Sequence, residues 1–304
     1  MATVALVVAF AHTPYLFVPP ARWPLLRQAI RGGRDVRADL PRESDAEKAA
    51  KHARCLDAFA RLRDSLAKAR VDALIVIGDD QRELFRHLVA PFAVWTGGRV
   101  AGRSLPGRVV EATGEDARAE YTGHPALARA LVPGMGGRGF DLAFLDAAED
   151  PRAMPGHAFV PPLGYLMPEP ALPVVPLMVN CYYPPQPAAA RCHAFGKALR
   201  ATLAEVAGVG RVAVAVSGGL WHTPGQPDAT IDEAFDRGVL DALAAGRGEA
   251  LTALPEAALV SGTGEVRNWI VGAGITGEVP WSVIDYVPIW YSPIGAGFAE
   301  CVLD

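Results

Sequence analysis

The sequence predicts one α/β domain spanning residues 1–304, with a central mixed sheet flanked by helices. Three observations predict it. Strand-like and helix-like patterns alternate from one end of the chain to the other. Four apolar stretches each run into a polar, metal-capable cluster, as buried strands do where an open sheet delivers side chains beyond its carboxyl ends. No internal repeat or low-complexity linker divides the chain, and 304 residues that are 51% apolar suffice for a sizeable core.

Met1–Ala11 is apolar, short for a membrane span and lacks a preceding basic segment, so it reads as a first strand ending near His12. An irregular stretch follows through Pro19-Pro20 and Gly32-Gly33 to Pro41. Within it the basic run Arg22–Arg37 is interleaved with Leu, Ile, Gly and Asp and reads as a solvated helix and loop. Asp45–Ala69 has helical spacing (Ala49, His52, Ala53, Leu56, Phe59, Ala60), with Ser44 and Glu47 forming a capping box. Val71–Ile77 is a strand that runs into Gly78-Asp79-Asp80-Gln81. Residues 88–122 hold short strand candidates, and His124-Pro125 opens a helix with proline at its first position.

Residues 151–187 carry eleven prolines, which argues against a regular helix there; the segment should wrap the sheet, with Val174–Val179 as one buried strand. Ala188–Ala207 reads as a helix, Val212–Val216 as a strand and Asp232–Ala245 as a helix. Leu259-Val260 leads into Ser261-Gly262-Thr263-Gly264-Glu265, Asn268–Ala273 is a short helix, and the tail Ile284–Phe298 alternates aromatic residues, Pro and Gly.

Several function classes are disfavoured. A net charge of −4 with no strongly basic block argues against nucleic-acid binding. No membrane segment is expected. Cys55, Cys181, Cys192 and Cys301 show no paired metal spacing, and with no export signal they read as reduced thiols in a cytoplasm.

The chemistry-bearing residues cluster at strand ends. His12 closes the first apolar run, as either a metal ligand or a backbone-bonded cap. Asp79 and Asp80 repel each other if buried, so they need a cation, an arginine or donated hydrogen bonds; otherwise they cap a helix. Ser217-Gly218-Gly219-Leu220-Trp221-His222 delivers a histidine past a strand and lacks the Gly-x-Ser-x-Gly pattern of a nucleophile elbow. Glu265 lies among glycines that permit close backbone approach, with Arg267 and Asn268 placed to orient it or to pair with it. His157 sits in a proline-stiffened loop, while His87, His124 and His193 read as helix surfaces or caps.

In order along the chain, these clusters resemble the LigB superfamily, the class III extradiol ring-cleaving dioxygenases that include protocatechuate 4,5-dioxygenase catalytic subunits and methylgallate-type dioxygenases. The resemblance rests on His12-Thr13-Pro14, Val76–Phe85, Pro155–Phe159, Pro173–Asn180 with Tyr182–Pro185, Ser217–His222, Asp232-Glu233, Ser261–Trp269 and Asp285–Pro288. Each motif is weak alone; the ordered set is specific and spans almost the whole chain. It implies a LigB-like single domain and a mononuclear Fe(II) held by two histidines and a glutamate. His12 and Glu265 would be ligands, His222 the acid–base residue and His157 a catalytic residue lining the substrate pocket, with Phe159, Trp221 and Tyr286 against the ring. The implied activity is extradiol cleavage of a catechol- or gallate-type ring with O2, as in aromatic catabolism. The expected partners are the small aromatic diol and O2, with homo-oligomeric assembly and room for a small partner subunit.

Two departures stand out. Where many members carry Asp-His after the second strand, this chain has Asp80-Gln81, and Trp221 precedes the acid–base histidine where Ser is common. The third metal ligand is therefore Gln81, His52 or water. His52 qualifies because about 17 residues of helix descend roughly 26 Å while about nine residues of strand ascend roughly 30 Å, which brings it near the level of Gln81. The incomplete triad leaves two alternatives, a non-redox metal-dependent hydrolase or lyase on the same scaffold and a catalytically silent binding subunit.

Overall fold

In the computed structural model, which describes all residues except 33, 86, 104, 106, 115–117, 148–154, 224–225 and 304, three of the four apolar runs form the middle of one large sheet. Strand β1 (Thr3–Phe10) is followed by α1 (Pro14–Phe17), α2 (Trp23–Arg31) and the long α3 (Asp45–Ala69). Then come β2 (Ala73–Gly78), β3 (Phe92–Trp95), β4 (Arg99–Arg103), α4 (Gly107–Thr113), β5 (Arg118–Thr122), α5 (Pro125–Gly136) and β6 (Ala143–Leu145). The chain continues through α6 (Val160–Leu166), β7 (Val174–Val179), α7 (Ala189–Leu203), β8 (Arg211–Ser217), α8 (Glu233–Ala244) and α9 (Val266–Thr276). It closes with the hairpin of β9 (Ser282–Ile289) and β10 (Ile294–Val302).

The eight-stranded sheet has the order β6-β3-β7-β2-β8-β1-β10-β9, and β4 pairs with β5 in a separate ribbon. β7, β2, β8 and β1 are mutually parallel, whereas β10 runs antiparallel to β1 and β3 antiparallel to β7. The sheet is therefore mixed, with a parallel centre. Side-chain alternation explains why both faces are covered. Ala73, Ile75 and Ile77 of β2 join the core packed by α5, α7, α8 and α9, while Leu74 and Val76 join the core packed by α2, α3 and α6.

The capping box forms at the start of α3: the Ser44 hydroxyl accepts the Glu47 N–H, and the Ser44 N–H donates to Glu47. The proline-rich stretch departs from expectation by containing α6. Pro161 and Pro162 fall in its first turn, where no intrahelical partner for the N–H is required. Leu259-Val260 forms no strand; it leads into a 3-10 turn, Ser261–Glu265, which feeds α9. The tail, in which aromatic residues, Pro and Gly alternate, is an antiparallel hairpin. Among the described residues no helix is long and apolar enough to cross a membrane.

Helices α7 and α9 cross on glycines. A Cβ at Gly274 would lie 2.1 Å from the His193 carbonyl oxygen, and one at Gly196 would lie 2.1 Å from that of Val271. Gly274→Ala is expected to destabilise the fold by about 1–3 kcal/mol, the usual cost of overpacking. Gly238→Ala in α8, where the new methyl meets open space, should stabilise it by about 0.5–1 kcal/mol. Urea unfolding midpoints measure both, and a Gly274→Ala protein as stable as the parent would contradict the close crossing.

Candidate metal centre

Because β2, β8 and β1 are parallel neighbours, whatever follows their carboxyl ends is delivered to one place. His12 lies two residues past β1, Asp79 directly follows β2, and Ser217 ends β8. Glu265 stands at the junction of the 3-10 turn and α9. One ligand atom from each of His12, Asp79 and Glu265 lies within 4.8 Å of the other two, and all three residues are buried. His12 Nε2 is 3.6 Å from Glu265 Oε2 and 4.0 Å from Asp79 Oδ1.

The hydrogen-bond network fixes the polarity of this cluster. The Ser217 hydroxyl donates to the Ala158 carbonyl at 2.5 Å, which leaves its oxygen to accept the Nδ1–H of His12 at 3.1 Å. The neutral imidazole then turns its Nε2 lone pair toward the carboxylates, the arrangement a metal-ligating histidine needs. Burial pushes His12 down to about 4 against the pull of Glu265, so the ring is neutral at pH 7. Glu265 Oε2 accepts the Gly219 N–H at 2.7 Å, and Oε1 accepts the Tyr182 hydroxyl at 2.5 Å. Burial resists ionisation of Glu265, but the imidazoles of His12 and His222 and the Tyr182 hydroxyl hold it below the usual carboxylate range.

Asp79 is the strained member. Burial and the neighbouring Glu265 push it well above the usual range. Its Oδ2 accepts from Gln81 Nε2 at 3.2 Å, but its Oδ1 has no hydrogen-bond partner among the described residues. An unpaired buried oxygen is costly, and two adjacent buried carboxylates repel. A divalent cation relieves both, and one imidazole with two carboxylates is a fitting donor set for a first-row transition metal.

A cavity of about 490 Å³ opens beside the cluster, with Gln81, Glu83, His157, Tyr182 and His222 in its lining. The His222 Nδ1–H donates to the Leu220 carbonyl at 3.0 Å, and its backbone N–H donates to Thr263 Oγ1 at 3.1 Å. That leaves Nε2 beside Glu265 Oε1, 3.5 Å away. Glycine is needed around the ring, since a Cβ at Gly262 would fall 2.3 Å from Nε2 and one at Gly219 would fall 2.7 Å from Nδ1. Burial opposes a charge on His222, but Glu265 outweighs it and raises the proton affinity. His157 stands edge-on to His12 with ring centroids 5.1 Å apart. Its Nδ1–H donates to Glu83 Oε2 at 2.8 Å; burial would lower its affinity for a proton, but Glu83 raises it to about 9, so it is an imidazolium at pH 7.

The structure thus brings together His12, Glu265, His222, His157 and Gln81, and separates the other sequence candidates. Gln81 reaches the cluster through its amide nitrogen, which also lies 3.5 Å from Glu265 Oε1. His52 stands apart: the ring faces the Leu16 carbonyl, with Nε2 3.0 Å from that oxygen. Helix rise sets the height of His52 along α3 but not the direction in which its ring faces. Phe159, Trp221 and Tyr286 lie outside the cavity lining. Phe159 packs behind Gly78, Trp221 packs on Phe235, and the Tyr286 hydroxyl donates to Asp236. Arg267 does not orient Glu265; it pairs with Glu256 and bonds the Pro187 and Leu259 carbonyls. The sequence marks Asp79 and Asp80 alike as acids in need of a cation without choosing between them, and it marks neither Glu83 nor Tyr182 nor Ser217 as a site residue. The available signal was positional for Asp79 and Ser217, which sit at strand exits.

The sequence pattern described as the catalytic LigB subunit of aromatic ring-opening dioxygenase matches residues 40–295, a stretch that contains Asp79, His157, His222 and Glu265 and begins after His12. Among solved structures, the fold is similar to that of an uncharacterized protein, JW3007, from Escherichia coli K12. The TM-score is 0.53 at 13% identity, over 98% of this chain and 99% of that one. No curated protein sequence matches the chain.

Asp79→Ala and Glu265→Ala should each weaken binding of Mn(II) or Fe(II) by more than the roughly 10–100-fold typical of a residue outside the ligand set. Ser217→Ala should fall within that range, and His52→Ala should leave affinity unchanged. Anaerobic equilibrium dialysis with metal analysis measures all four. Parental affinity in Asp79→Ala would remove Asp79 from the ligand set.

Proposed function

Because the chain belongs to the LigB family of catalytic subunits of aromatic ring-opening dioxygenases, we propose that it is an Fe(II)-dependent extradiol dioxygenase acting on a catechol- or gallate-type ring. The observation that carries this reading is the His12–Asp79–Glu265 cluster opening into a cavity that also holds His222. These three residues would hold the iron, which when bound supplies a centre where diol and O2 meet and exchange charge. Asp79 would take the ligand role that the resemblance implies for a second histidine, whose place in the sequence is held by Gln81. Gln81 supports it by donating toward both carboxylates, and His52 takes no part.

His222 is the proton carrier. With Nδ1 committed to the Leu220 carbonyl, its Nε2 accepts the proton of a substrate hydroxyl and returns it later in turnover. His157, kept charged by Glu83, presents its Nε2–H as a donor to a substrate oxygen in the cavity. Tyr182 keeps its proton and holds Glu265 Oε1 in place. Pro14, Tyr15, Ile30 and Ile294 supply the apolar wall that excludes water from the ring. The ring opens next to the diol, not between its hydroxyls.

One observation favours a second reading. Two carboxylates with a single imidazole form an oxygen-rich donor set that also suits redox-inert cations, as in a metal-dependent hydrolase or lyase. Oxygen uptake by the anaerobically Fe(II)-loaded protein with a panel of catechols and gallates separates the two. Stoichiometric uptake with ring-opened product is expected. His222→Ala should keep its metal while turnover falls by roughly 10²–10⁴-fold. No uptake with any diol would reject the dioxygenase reading, and undiminished turnover in His222→Ala would reject the role of that residue.

A further inference from the structure

Asp236 of α8 is a buried carboxylate that the proposed chemistry leaves unused. Among the described residues no lysine or arginine pairs with it. Arg237, the next residue, turns instead to Glu233 and to the Tyr286 ring. Burial pushes Asp236 up to about 6 and Asp232, which caps α8, adds to that push; the Tyr286 hydroxyl, the Trp221 N–H and the charge of His222 oppose them, so the group is an anion at pH 7. A lone buried carboxylate is costly, yet the fold makes room for this one. A Cβ at Gly295 of β10 would fall 1.9 Å from its Oδ2. The Tyr286 hydroxyl donates to Oδ2 at 2.7 Å, and the backbone N–H of Trp221 donates to Oδ1 at 2.7 Å.

That N–H belongs to the same peptide unit as the Leu220 carbonyl, and the Leu220 carbonyl accepts the Nδ1–H of His222 at 3.0 Å. One planar amide therefore joins the carboxylate to the imidazole. β10 holds the same segment from the other side: the Leu220 N–H donates to the Gly295 carbonyl at 3.2 Å, and the Gly295 N–H donates to the Trp221 carbonyl at 2.9 Å. We propose that Asp236 is a positioning residue for His222, acting through the Leu220–Trp221 peptide to keep Nε2 turned to the cavity as the proton acceptor. The carboxylate fixes the plane of the peptide, and the peptide carbonyl fixes which ring nitrogen carries the hydrogen. Hydrogen bonds in series polarise one another, so an anion at the N–H end strengthens the carbonyl as an acceptor and the ring as a base. No proton passes along this path, because the amide keeps its hydrogen. The kinetic consequence rests on His222 being the proton carrier of ring opening; the effect on the imidazole itself does not.

The test compares the parent with Asp236→Ala, which removes the acceptor, and Asp236→Asn, which keeps an oxygen acceptor but removes the charge. Long-range proton–nitrogen NMR of the Zn(II)-loaded, histidine-labelled proteins reads the ring, with His222→Ala assigning the signals. The parent should show His222 as a single Nδ1–H tautomer when neutral. Asp236→Ala should show a mixture of Nδ1–H and Nε2–H forms, and Asp236→Asn should keep the parental tautomer but titrate at lower pH. In the Fe(II)-loaded proteins, kcat should fall roughly 10–100-fold in Asp236→Ala, the scale for a lost supporting group, while KM and metal content hold. Asp236→Asn should recover most of that loss. Parental ring signals, or a parental kcat, in Asp236→Ala overturn the inference. Should the alanine variant fail to fold, Asp236→Asn decides: the Nδ1–H tautomer with a lowered titration midpoint supports the inference, and a parental midpoint overturns it. If the parent opens no ring, the ring-opening reading fails on its own and the ring signals alone decide the role of Asp236.

Discussion

Two carboxylates buried side by side, Asp79 and Glu265, set the terms for everything around them. Away from water their repulsion has little screening, so the fold must surround them with donors. It does so with groups of several kinds: the Gly219 N–H, the Tyr182 hydroxyl and the Gln81 amide. Glu265 also sits at the amino end of α9, where the helix dipole favours negative charge. The acid left short of partners is Asp79, and its open oxygen faces the lone pair of His12. A cation is the group that satisfies both.

The neighbouring histidines are fixed by shared parts. The Ala158 carbonyl receives the Ser217 proton and so decides which nitrogen of His12 keeps its hydrogen. Ala158 is also the next residue after His157, whose backbone N–H and ring both bond Glu83. The turn that places the charged imidazole beside the cavity therefore also sets the tautomer of the ligand imidazole. The Asn268 amide and Trp269 indole secure the other side by donating to the carbonyls of Ser217 and Gly218.

Much of the scaffold was legible because its signals are local. The Ser44–Glu47 capping box, the apolar run of β7 and the proline opening α5 each follow from a few adjacent residues. What stayed hidden depends on direction. Asp79 and Asp80 are adjacent and chemically identical, yet one enters the cluster while the other folds back to accept the N–H groups of Leu84 and Phe85. The backbone path at the exit of β2 makes that choice, and no composition rule encodes it. Helix rise placed His52 at a plausible height, but its azimuth aims it at Leu16. Aromatic identity likewise cannot separate a cavity wall from the core behind it, which is where Phe159 and Tyr286 pack. Within the proline-rich stretch, the count of prolines misled because two of them fall in the first turn of α6.

The cluster draws on positions 12, 79 and 265, and on strands that become neighbours only through long crossovers. No continuous fragment of the chain short of nearly its full length carries all three groups. An ion seated there is thus held by the finished sheet and by no partly folded precursor. At a free concentration a hundredfold above its dissociation constant, such a ligand adds about 2.7 kcal/mol to the stability of the native state. Occupancy of the centre then works as an assembly check: the chain gains its last increment of stability only when its first strand, its middle and its final helix have all reached their places.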